Sequence, residues 1–352
     1  MAGGAAAPAR RSRLACAAVA LSVLAVSALN FNKGDLARAF LGVERPPALL
    51  SIDEAQYVGM VERFRGQTPG LELWAPFTYR PVAPWLAAQL PFEPLTALNV
   101  LNVLSLLGAT WFVWRTLRLF EPSPAWQFAG TMAFVWSFPF CYYGTTGLVD
   151  PPALLMIAAG LYLVMTERWG GVVAVGLVGG LVKESIVLLW PVALAQCAIS
   201  RRRDARAVAA VLLFPVGFAL SSALGRALAP TRGDYTFWKG LSLFENLSRA
   251  RVYVAAALSL GLQGLFAAFA VPALRRMASE ERRRYLPLAV GALGSFALFG
   301  VALITAHADG RFLWLGHPFL TPLAVLGTRT VFGCFAGRRT GPAGPTYDRT
   351  AA

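Results

Sequence analysis

The segment LPLAVGALGSFALFGVALIT, residues 286–305, decides the class of fold because it contains no charged residue. Its length lies within the roughly 17 to 25 residues that an α-helix needs to cross the hydrocarbon core of a bilayer. The whole chain has the same character, since 57% of its 352 residues are hydrophobic and only 14% are charged. Soluble globular domains do not have this composition. The sequence therefore predicts an all-α polytopic membrane protein.

Further apolar runs resemble this segment in length and composition. They lie at 14–31, 94–114, 125–143, 151–166, 170–182, 185–199, 207–228, 252–274 and 312–333. With residues 286–305 they predict about 10 transmembrane helices in a single integral membrane domain that comprises residues 1–352. The runs at 170–182 and 185–199 are the shortest and fit a spanning helix least well.

The net charge of +14 raises the question of a nucleic-acid partner. Nucleic-acid binding needs a basic patch on a folded soluble face, whereas these arginines form short clusters between apolar runs. If the N-terminus is inside, the clusters ARRSR, RTLR, ER, RRRDAR, RRMASEERRR and GRRT all fall on the cytoplasmic side. We therefore predict no nucleic-acid partner and treat the clusters as topology signals, with contact to anionic membrane lipids as the lesser alternative.

This topology places both termini in the cytoplasm and makes residues 334–352 a cytoplasmic, disordered tail. The first span has a basic beginning and small residues at 26–28, so that cleavage after Ala28 is an alternative to the uncleaved signal anchor that we favour. We expect a multi-pass protein of a bacterial inner (plasma) membrane. The cysteine spacing predicts neither a disulfide nor a metal site. No cofactor is predicted, and a metal requirement stays open.

The acidic residues have an uneven distribution along the predicted topology. Most of the 18 acids lie in the predicted outer segments, which are far apart in sequence. They are Asp35, Glu44, Asp53, Glu54, Glu62, Glu72, Glu93, Asp150, Glu184, Asp234, Glu245 and Asp309. Charged groups at the edge of a membrane segment are costly to desolvate and usually have a function. The distribution therefore predicts a charged site on the outer face.

The first outer loop, residues 32–93, is too long to be only a connection. Within SIDEAQYVGMVERFRG, residues 51–66, apolar side chains recur at positions 52, 55, 58, 61 and 64. This spacing predicts an amphipathic helix on the membrane surface. The later segment APFTYRPVAPWLAAQLP contains Tyr79 and Arg80 before a proline-bounded apolar turn, where we expect the loop to return to the bilayer.

Two acids at the start of the predicted surface helix have structural as well as functional explanations. Ser51 and Glu54 have the spacing of a capping box, in which each side chain pairs with a free amide at the helix start. Asp53 has a weaker structural reason, because an acid in the first turn gains only about 0.3 to 1 kcal/mol from the helix dipole. We therefore favour a functional role for Asp53.

The other candidates also have ordinary explanations that the sequence leaves open. Asp150 before Pro151 fits a helix N-cap followed by proline. Lys183 and Glu184 fit either a solvated turn or a functional site. A single interfacial arginine is more often an anchor in the headgroup layer, and a histidine such as His307 is more often a loop residue than a ligand.

Four of these segments, taken in order, resemble the GT-C glycosyltransferase superfamily, nearest the branch with protein O-mannosyltransferases and lipid A aminoarabinose transferases. DEAQYVGMVERFRG is similar to that branch's first-loop pattern, and YRPVAPWL to its proline-rich return to the membrane. GLVDPPALLMIAAGLYL resembles its aspartate at the head of the fourth span, and GLVKES its lysine-bearing turn. The resemblance covers roughly residues 15–200.

The resemblance implies an inverting transfer of a sugar from a polyprenyl-phosphate donor to a lipid-linked or cell-envelope glycan acceptor on the non-cytoplasmic face. Asp53 would be the catalytic base, and Asp150 a second catalytic carboxylate that orients the acceptor or the sugar. A phosphate leaving group needs no general acid, so that one base with cations to hold the phosphate would suffice. The implied substrate contacts are Glu54, Tyr57, Tyr79, Arg80, Tyr143, Lys183, Glu184, His307 and Arg311.

A transporter or flippase of lipid-linked sugars is the competing interpretation. Transporters usually carry ionisable residues near the middle of the membrane and often consist of two related halves. This sequence has no evident repeat, and its acids lie at one predicted face. We therefore favour an enzyme, for which Asp53, Asp150 and Lys183 should cluster at one end of the helices.

Overall fold

The computed structural model describes residues 6–31, 52–68, 73–200, 204–228, 231–232, 242–305 and 308–335. These residues are almost entirely helical, as predicted. In chain order the α-helices are α1 Ala6–Phe31, α2 Ile52–Phe64, α3 Val82–Ala88, α4 Pro94–Phe120, α5 Pro124–Val135, α6 Phe138–Tyr143, α7 Asp150–Met165, α8 Trp169–Val182, α9 Leu189–Ile199, α10 Ala205–Leu228, α11 Leu243–Ser248, α12 Ala250–Arg276, α13 Ser279–Arg284, α14 Leu286–Thr305, α15 Arg311–Trp314 and α16 His317–Phe335.

Short 3-10 helices and one small strand pair complete the described part of the chain. The 3-10 helices are Phe77–Tyr79 and Glu184–Leu188. Strand β1, Leu73–Trp74, pairs in parallel with β2, Thr231–Arg232. This pairing joins the first loop to the segment that follows α10.

Four of the helices are long and apolar enough to cross a membrane, as judged by length and composition: α4, α10, α12 and α14. Apolar helices of 10–17 residues lie at Leu14–Ala28, Asp150–Met165, Trp169–Val182 and Glu184–Ile199. The structure therefore confirms an all-α fold with helices of membrane-spanning length. The count of ten spans and the side of the membrane on which each terminus lies stay predictions.

Two predicted runs are divided where proline follows a bend. The prediction that residues 125–143 form one continuous helix is wrong, because α5 ends at Val135 and α6 begins at Phe138. Pro139 has no N–H, and its ring would clash with the carbonyl four residues earlier. The run 312–333 is similarly divided into α15 and α16, with Pro318 at the start of α16.

The predicted surface helix exists as α2, but the predicted apolar stripe is only partly the buried face. Tyr57, Met60 and Val61 are buried, whereas Ala55 and Phe64 are exposed. Tyr57 lies off the apolar stripe but is buried, because its ring packs edge-on against Phe77 with the ring centroids 5.7 Å apart. The helix therefore packs on the rest of the first loop and on α4.

The far end of α2 is held by the side chain of Arg65. Its Nη2 donates to the carbonyl oxygen of Leu90 at 2.8 Å and to that of Ala87 at 3.3 Å. These carbonyls belong to the end of α3, where the helix leaves C=O groups without intrahelical partners. The guanidinium thus joins the end of α2 to the end of α3 and the residues that follow it.

Small residues let the long helices approach closely. A Cβ at Gly176 of α8 would lie 3.0 Å from the carbonyl oxygen of Phe214 in α10. A Cβ at Gly327 of α16 would overlap the carbonyl oxygen of Phe266 in α12. Such close backbone contacts are typical of helices that associate in membranes, where packing replaces the hydrophobic driving force.

The two ends of the helix bundle differ in chemistry. At one end Arg329 Nη1 donates to Glu121 Oε2 at 2.8 Å, and Arg284 Nη2 donates to the carbonyl oxygen of Leu119 at 3.1 Å. This end carries the predicted topology clusters at 115–118 and 275–284. The opposite end carries most of the described acids from the predicted outer segments, among them the candidate site.

Candidate functional site

The candidate site lies where α2, α7, α15 and the turn after α8 meet at the acidic end of the bundle. Each of these elements contributes charged side chains from its first or last residues. α7 and α8 are apolar between their ends, and α2 contributes the acids of its first turn. Three sets of ion pairs result.

The most buried ion pair joins Asp150 and Lys183. Asp150 is the first residue of α7, its N-cap is Val149, and no side chain caps this helix. The N-cap interpretation of Asp150 is therefore wrong, and its Oδ1 instead accepts a hydrogen bond from Lys183 Nζ. The two side chains are 2% and 9% exposed, so that Lys183 does not mark a solvated turn either. A buried charge needs such a partner.

Arg80 and Glu184 form the second pair. Arg80 Nε donates to Glu184 Oε2 at 3.0 Å, and Arg80 Nη2 contacts the same oxygen at 2.9 Å. Arg80 Nη1 donates to the hydroxyl oxygen of Tyr57 at 2.7 Å. Burial raises the pKa of Tyr57, and the Arg80 guanidinium only partly opposes this, so that the phenol stays protonated. The Arg80 guanidinium therefore connects Tyr57 of α2 to Glu184 of the turn after α8, and it is not a lone anchor in the headgroup layer.

Arg311 connects the remaining acids. Its Nη1 donates to Asp53 Oδ2 at 2.8 Å, and its Nε donates to Asp309 Oδ2 at 2.7 Å. Burial alone lowers the pKa of Arg311, but Asp309, Asp150 and Asp53 outweigh it, and the pKa lies above its ordinary value. The guanidinium is thus permanently charged and held between two carboxylates. Both side chains are partly exposed, 22% for Arg311 and 29% for Asp53.

The three sets of pairs interact and form one charged cluster, defined as Asp53, Arg80, Asp150, Lys183, Glu184, Asp309 and Arg311. Burial lowers the pKa of Lys183, Arg80 and Arg311 act in the same direction, and Asp150 opposes them. The cluster holds four carboxylates and three cations, which gives a formal charge of −1. An arriving phosphate would therefore have to exchange partners with one of the carboxylates.

The other predicted contacts have different positions. Tyr143 packs against Trp314 with ring centroids 6.2 Å apart, next to Arg311. The side chain of Glu54 lies beside Gly147, since a Cβ added to Gly147 would be 3.5 Å from Glu54 Cγ. The ring of Tyr79 instead faces Arg226 of α10, with the guanidinium carbon 5.5 Å from the ring centroid.

Two predicted features lie outside the described residues. These are His307 and the capping partner Ser51. The predicted tail at 334–352 is described only at its first two residues, which continue α16. The proposed roles of these segments stay predictions.

Several polar residues in or near the cluster were not among the predicted site residues. Asp309 was named only as one acid of the predicted outer segments, although its position two residues before Arg311 in ADGR was a usable signal. The hydroxyls of Thr78, Thr145 and Ser185 are buried without a hydrogen-bond partner among the described residues. Buried polar groups normally have partners, so that free hydroxyls beside a charged cluster are candidate contacts for a sugar or a phosphate.

The described residues contain no group of three or more histidine, cysteine or acidic side chains arranged to hold a metal ion. The carboxylates of the charged cluster are instead occupied by arginine and lysine. No protein family, curated protein or solved structure matches this chain. The function therefore has to be argued from the charged cluster itself.

Proposed function

We propose that the protein is a membrane glycosyltransferase. It takes a sugar from a polyprenyl-phosphate donor and transfers it to a lipid-linked or cell-envelope glycan acceptor at the non-cytoplasmic face. The observation that carries the proposal is the convergence of three cations and four carboxylates, from distant parts of the chain, at one end of an apolar helix bundle. A lipid-linked sugar phosphate would fit this arrangement, because its lipid tail suits the apolar helices and its phosphate and sugar suit the charged cluster.

Asp53 is the best candidate for the catalytic base. Its carboxylate is partly exposed, whereas that of Asp150 is almost completely buried against Lys183. The base takes the proton of an acceptor hydroxyl while the oxygen attacks the anomeric carbon. The bond from that carbon to the phosphate oxygen breaks, and its electron pair leaves with the polyprenyl phosphate. Attack opposite the leaving group inverts the anomeric centre.

Arg311 connects the base to the leaving group. Its guanidinium already contacts Asp53 and Asp309, and a phosphate is a bidentate ligand for the same fork. A phosphate that takes over this contact withdraws the cation from Asp53, and an unpaired carboxylate is a stronger base. In this scheme donor binding itself prepares the base for the acceptor.

Asp150 and Lys183 have a positioning role in this scheme. Lys183 is 9% exposed and is turned to Asp150 rather than to an open surface. Together they fix the start of α7 against the turn after α8, and thereby hold Glu184 and Arg80 in place. Direct contact of Asp150 and Lys183 with the substrate stays a prediction.

The experiment that tests the proposal uses the purified full chain in lipid vesicles with a panel of polyprenyl-phosphate sugars and a lipid extract of the envelope as acceptor. We expect release of polyprenyl phosphate and a new glycolipid or glycan in the same stoichiometry. Glu93→Gln is the matched control for acidic substitutions, because Glu93 is exposed at the same end and makes no side-chain cap contact. Absence of transfer with every donor would argue against the proposal.

One observation favours the alternative of a transporter or flippase of lipid-linked sugars. Helix α12 is interrupted at Gly261, whose φ of 47° and ψ of −147° are not helical. Interrupted helices line the substrate sites of many transporters. Movement of a lipid-linked sugar across the vesicle membrane without any chemical transfer would support this alternative. Because the charged cluster lies at the end of the bundle rather than in its middle, we favour the glycosyltransferase over the transporter.

A further inference from the structure

A second site lies outside the charged cluster, in a cavity of about 530 Å³ between α5, α12 and α16. Its walls are mainly apolar and include Trp126, Trp136, Phe138, Leu262 and Phe266. None of the residues that line it is charged. Its volume lies in the range of roughly 300 to 1,000 Å³ that is usual for sites of small molecules.

The cavity opens sideways at the outer surface of the bundle. Leu262 is 70% exposed and Trp136 is 54% exposed, and both belong to the lining. Large exposed apolar side chains at the surface of a membrane protein face the hydrocarbon of the lipid. A molecule from the bilayer can therefore enter between α5 and α12 without crossing the charged cluster.

The interruption of α12 at Gly261 lies in the wall of this cavity. Non-helical backbone at membrane depth leaves peptide groups without intrahelical partners, and it is tolerated only where it is covered by protein or lines a cavity. Gly261 has open space around its Cα, so that no packing contact requires a glycine there. Its positive φ, which residues with a side chain rarely adopt, is the reason for a glycine at this break.

Two hydrogen-bond donors in the same wall have no partner among the described residues. They are Ser259 Oγ and Gln263 Nε2, and the side chains are 0% and 5% exposed. Both residues line the cavity, and they lie on either side of the break at Gly261. A single carbonyl oxygen has two lone pairs and can accept from both donors at once.

The depth of these donors is set by contacts with neighbouring segments. His317, the first residue of α16, donates from Nε2 to the carbonyl oxygen of Ser259 at 2.7 Å. A Cβ at Gly310 would overlap Ser259 Oγ, and Gly310 directly precedes Arg311. Ser259 therefore lies just below the charged end of the bundle, and the lining of the cavity continues through Gln263 to Trp126 and Thr328.

We propose that this cavity binds an acyl chain of a membrane glycerolipid, and that Ser259 and Gln263 donate to its ester carbonyl oxygen. The chain fills the apolar walls, and the ester lies at the level of the helix ends, where ester groups of a bilayer lie. A polyprenyl phosphate fits less well, since its chain has no carbonyl and its phosphate would find no cation in the lining. The proposal is independent of the glycosyltransferase function.

The test compares two lipids that differ only in the carbonyl. The delipidated full chain in detergent is titrated with ester-linked and ether-linked phosphatidylglycerol of equal chain length, and bound lipid is counted by native mass spectrometry. We expect the ester lipid to bind about fivefold to a hundredfold more tightly, the usual effect of losing two hydrogen bonds. Gln263→Leu and Ser259→Ala should each reduce that preference towards unity.

A matched pair of substitutions locates the bound lipid. Ala133→Trp places a large side chain in the cavity and should abolish the lipid adduct, whereas Ala268→Trp alters an exposed alanine of α12 outside the lining and should leave it. Thermal unfolding shows whether each variant is folded. Equal affinity for the two lipids, an undiminished ester preference in the double variant Ser259→Ala with Gln263→Leu, or stronger binding of polyprenyl phosphate would each overturn the proposal.

Discussion

Lys183 and Asp150 form an ion pair in which both side chains are almost completely removed from solvent. Lys183 lies in extended backbone between α8 and the following 3-10 helix, and Asp150 is the first residue of α7. The pair therefore joins two helix termini that the chain separates by 33 residues. Glu184, the residue that follows Lys183, carries the contact with Arg80, so that the pair supports this part of the charged cluster.

Lys183→Met should destabilise the protein strongly, because it leaves the buried Asp150 carboxylate without a partner. We expect the free energy of unfolding to fall by about 3 to 5 kcal/mol, as is usual when one member of a buried pair is removed. Unfolding in detergent measures it. The double variant Asp150→Asn with Lys183→Met should recover most of the loss. An equal loss in the single and double variants would contradict this explanation.

Asp53→Asn should reduce sugar transfer by about 100- to 10,000-fold, the usual contribution of a positioned base. The amide keeps the size of the side chain but cannot take a proton from the acceptor. Release of polyprenyl phosphate from the donor measures the rate. Glu93→Gln makes the same chemical change at the same end of the bundle and should retain full activity. A folded Asp53→Asn protein with normal activity would exclude Asp53 as the base.

Tyr57→Phe should lower the free energy of unfolding by about 1.5 to 3 kcal/mol, the usual value of a hydrogen bond to a charged group. The hydroxyl of Tyr57 accepts from Arg80 in a buried setting. Tyr253→Phe is the control, since its hydroxyl donates to the carbonyl oxygen of Leu247 at an exposed site. Chemical unfolding of both variants in the same detergent gives the comparison. An equal effect of the two substitutions would contradict the role of burial.

The stability difference between the wild type and Tyr57→Phe should depend on pH. Burial raises the pKa of Tyr57 above its ordinary value of 10.0. The folded state then keeps the phenol proton at a pH where the unfolded state has lost it. The contribution of the Tyr57 phenol to the free energy of unfolding is therefore complete below pH 10 and is lost as the pH rises above 10. The difference between the two proteins should therefore shrink above about pH 10, and a constant difference would exclude this linkage.

Gly327→Ala should disturb the packing of α16 on α12, because the added Cβ would overlap the carbonyl oxygen of Phe266. Overpacking of this kind usually costs about 1 to 3 kcal/mol. Gly300→Ala in α14 is the matched control, since no atom lies within 4 Å of its added Cβ. That change should be neutral or stabilise by up to about 1 kcal/mol, because it restricts the unfolded chain. Thermal midpoints in detergent distinguish the two variants.

Most of the helical class was predictable because its cause is local. A run such as 286–305 is apolar along its whole length, and the helix α14 has the same bounds. The bends at 136–137 and 315–316 were missed because hydropathy does not register the steric effect of Pro139 and Pro318. The buried face of α2 was missed for another reason, since it depends on what Tyr57 contacts rather than on the spacing of apolar residues.

The sequence by itself determined that this chain is a set of apolar helices with most acids at one predicted face and the arginine clusters at the other, because these properties follow from composition and order. Only the tertiary structure decided how the charges pair. Asp53 and Arg311 are 258 positions apart, and nothing local in either segment indicates the other. Their contact arises because the packed helices bring their ends together, where charges that are partly removed from water stabilise one another.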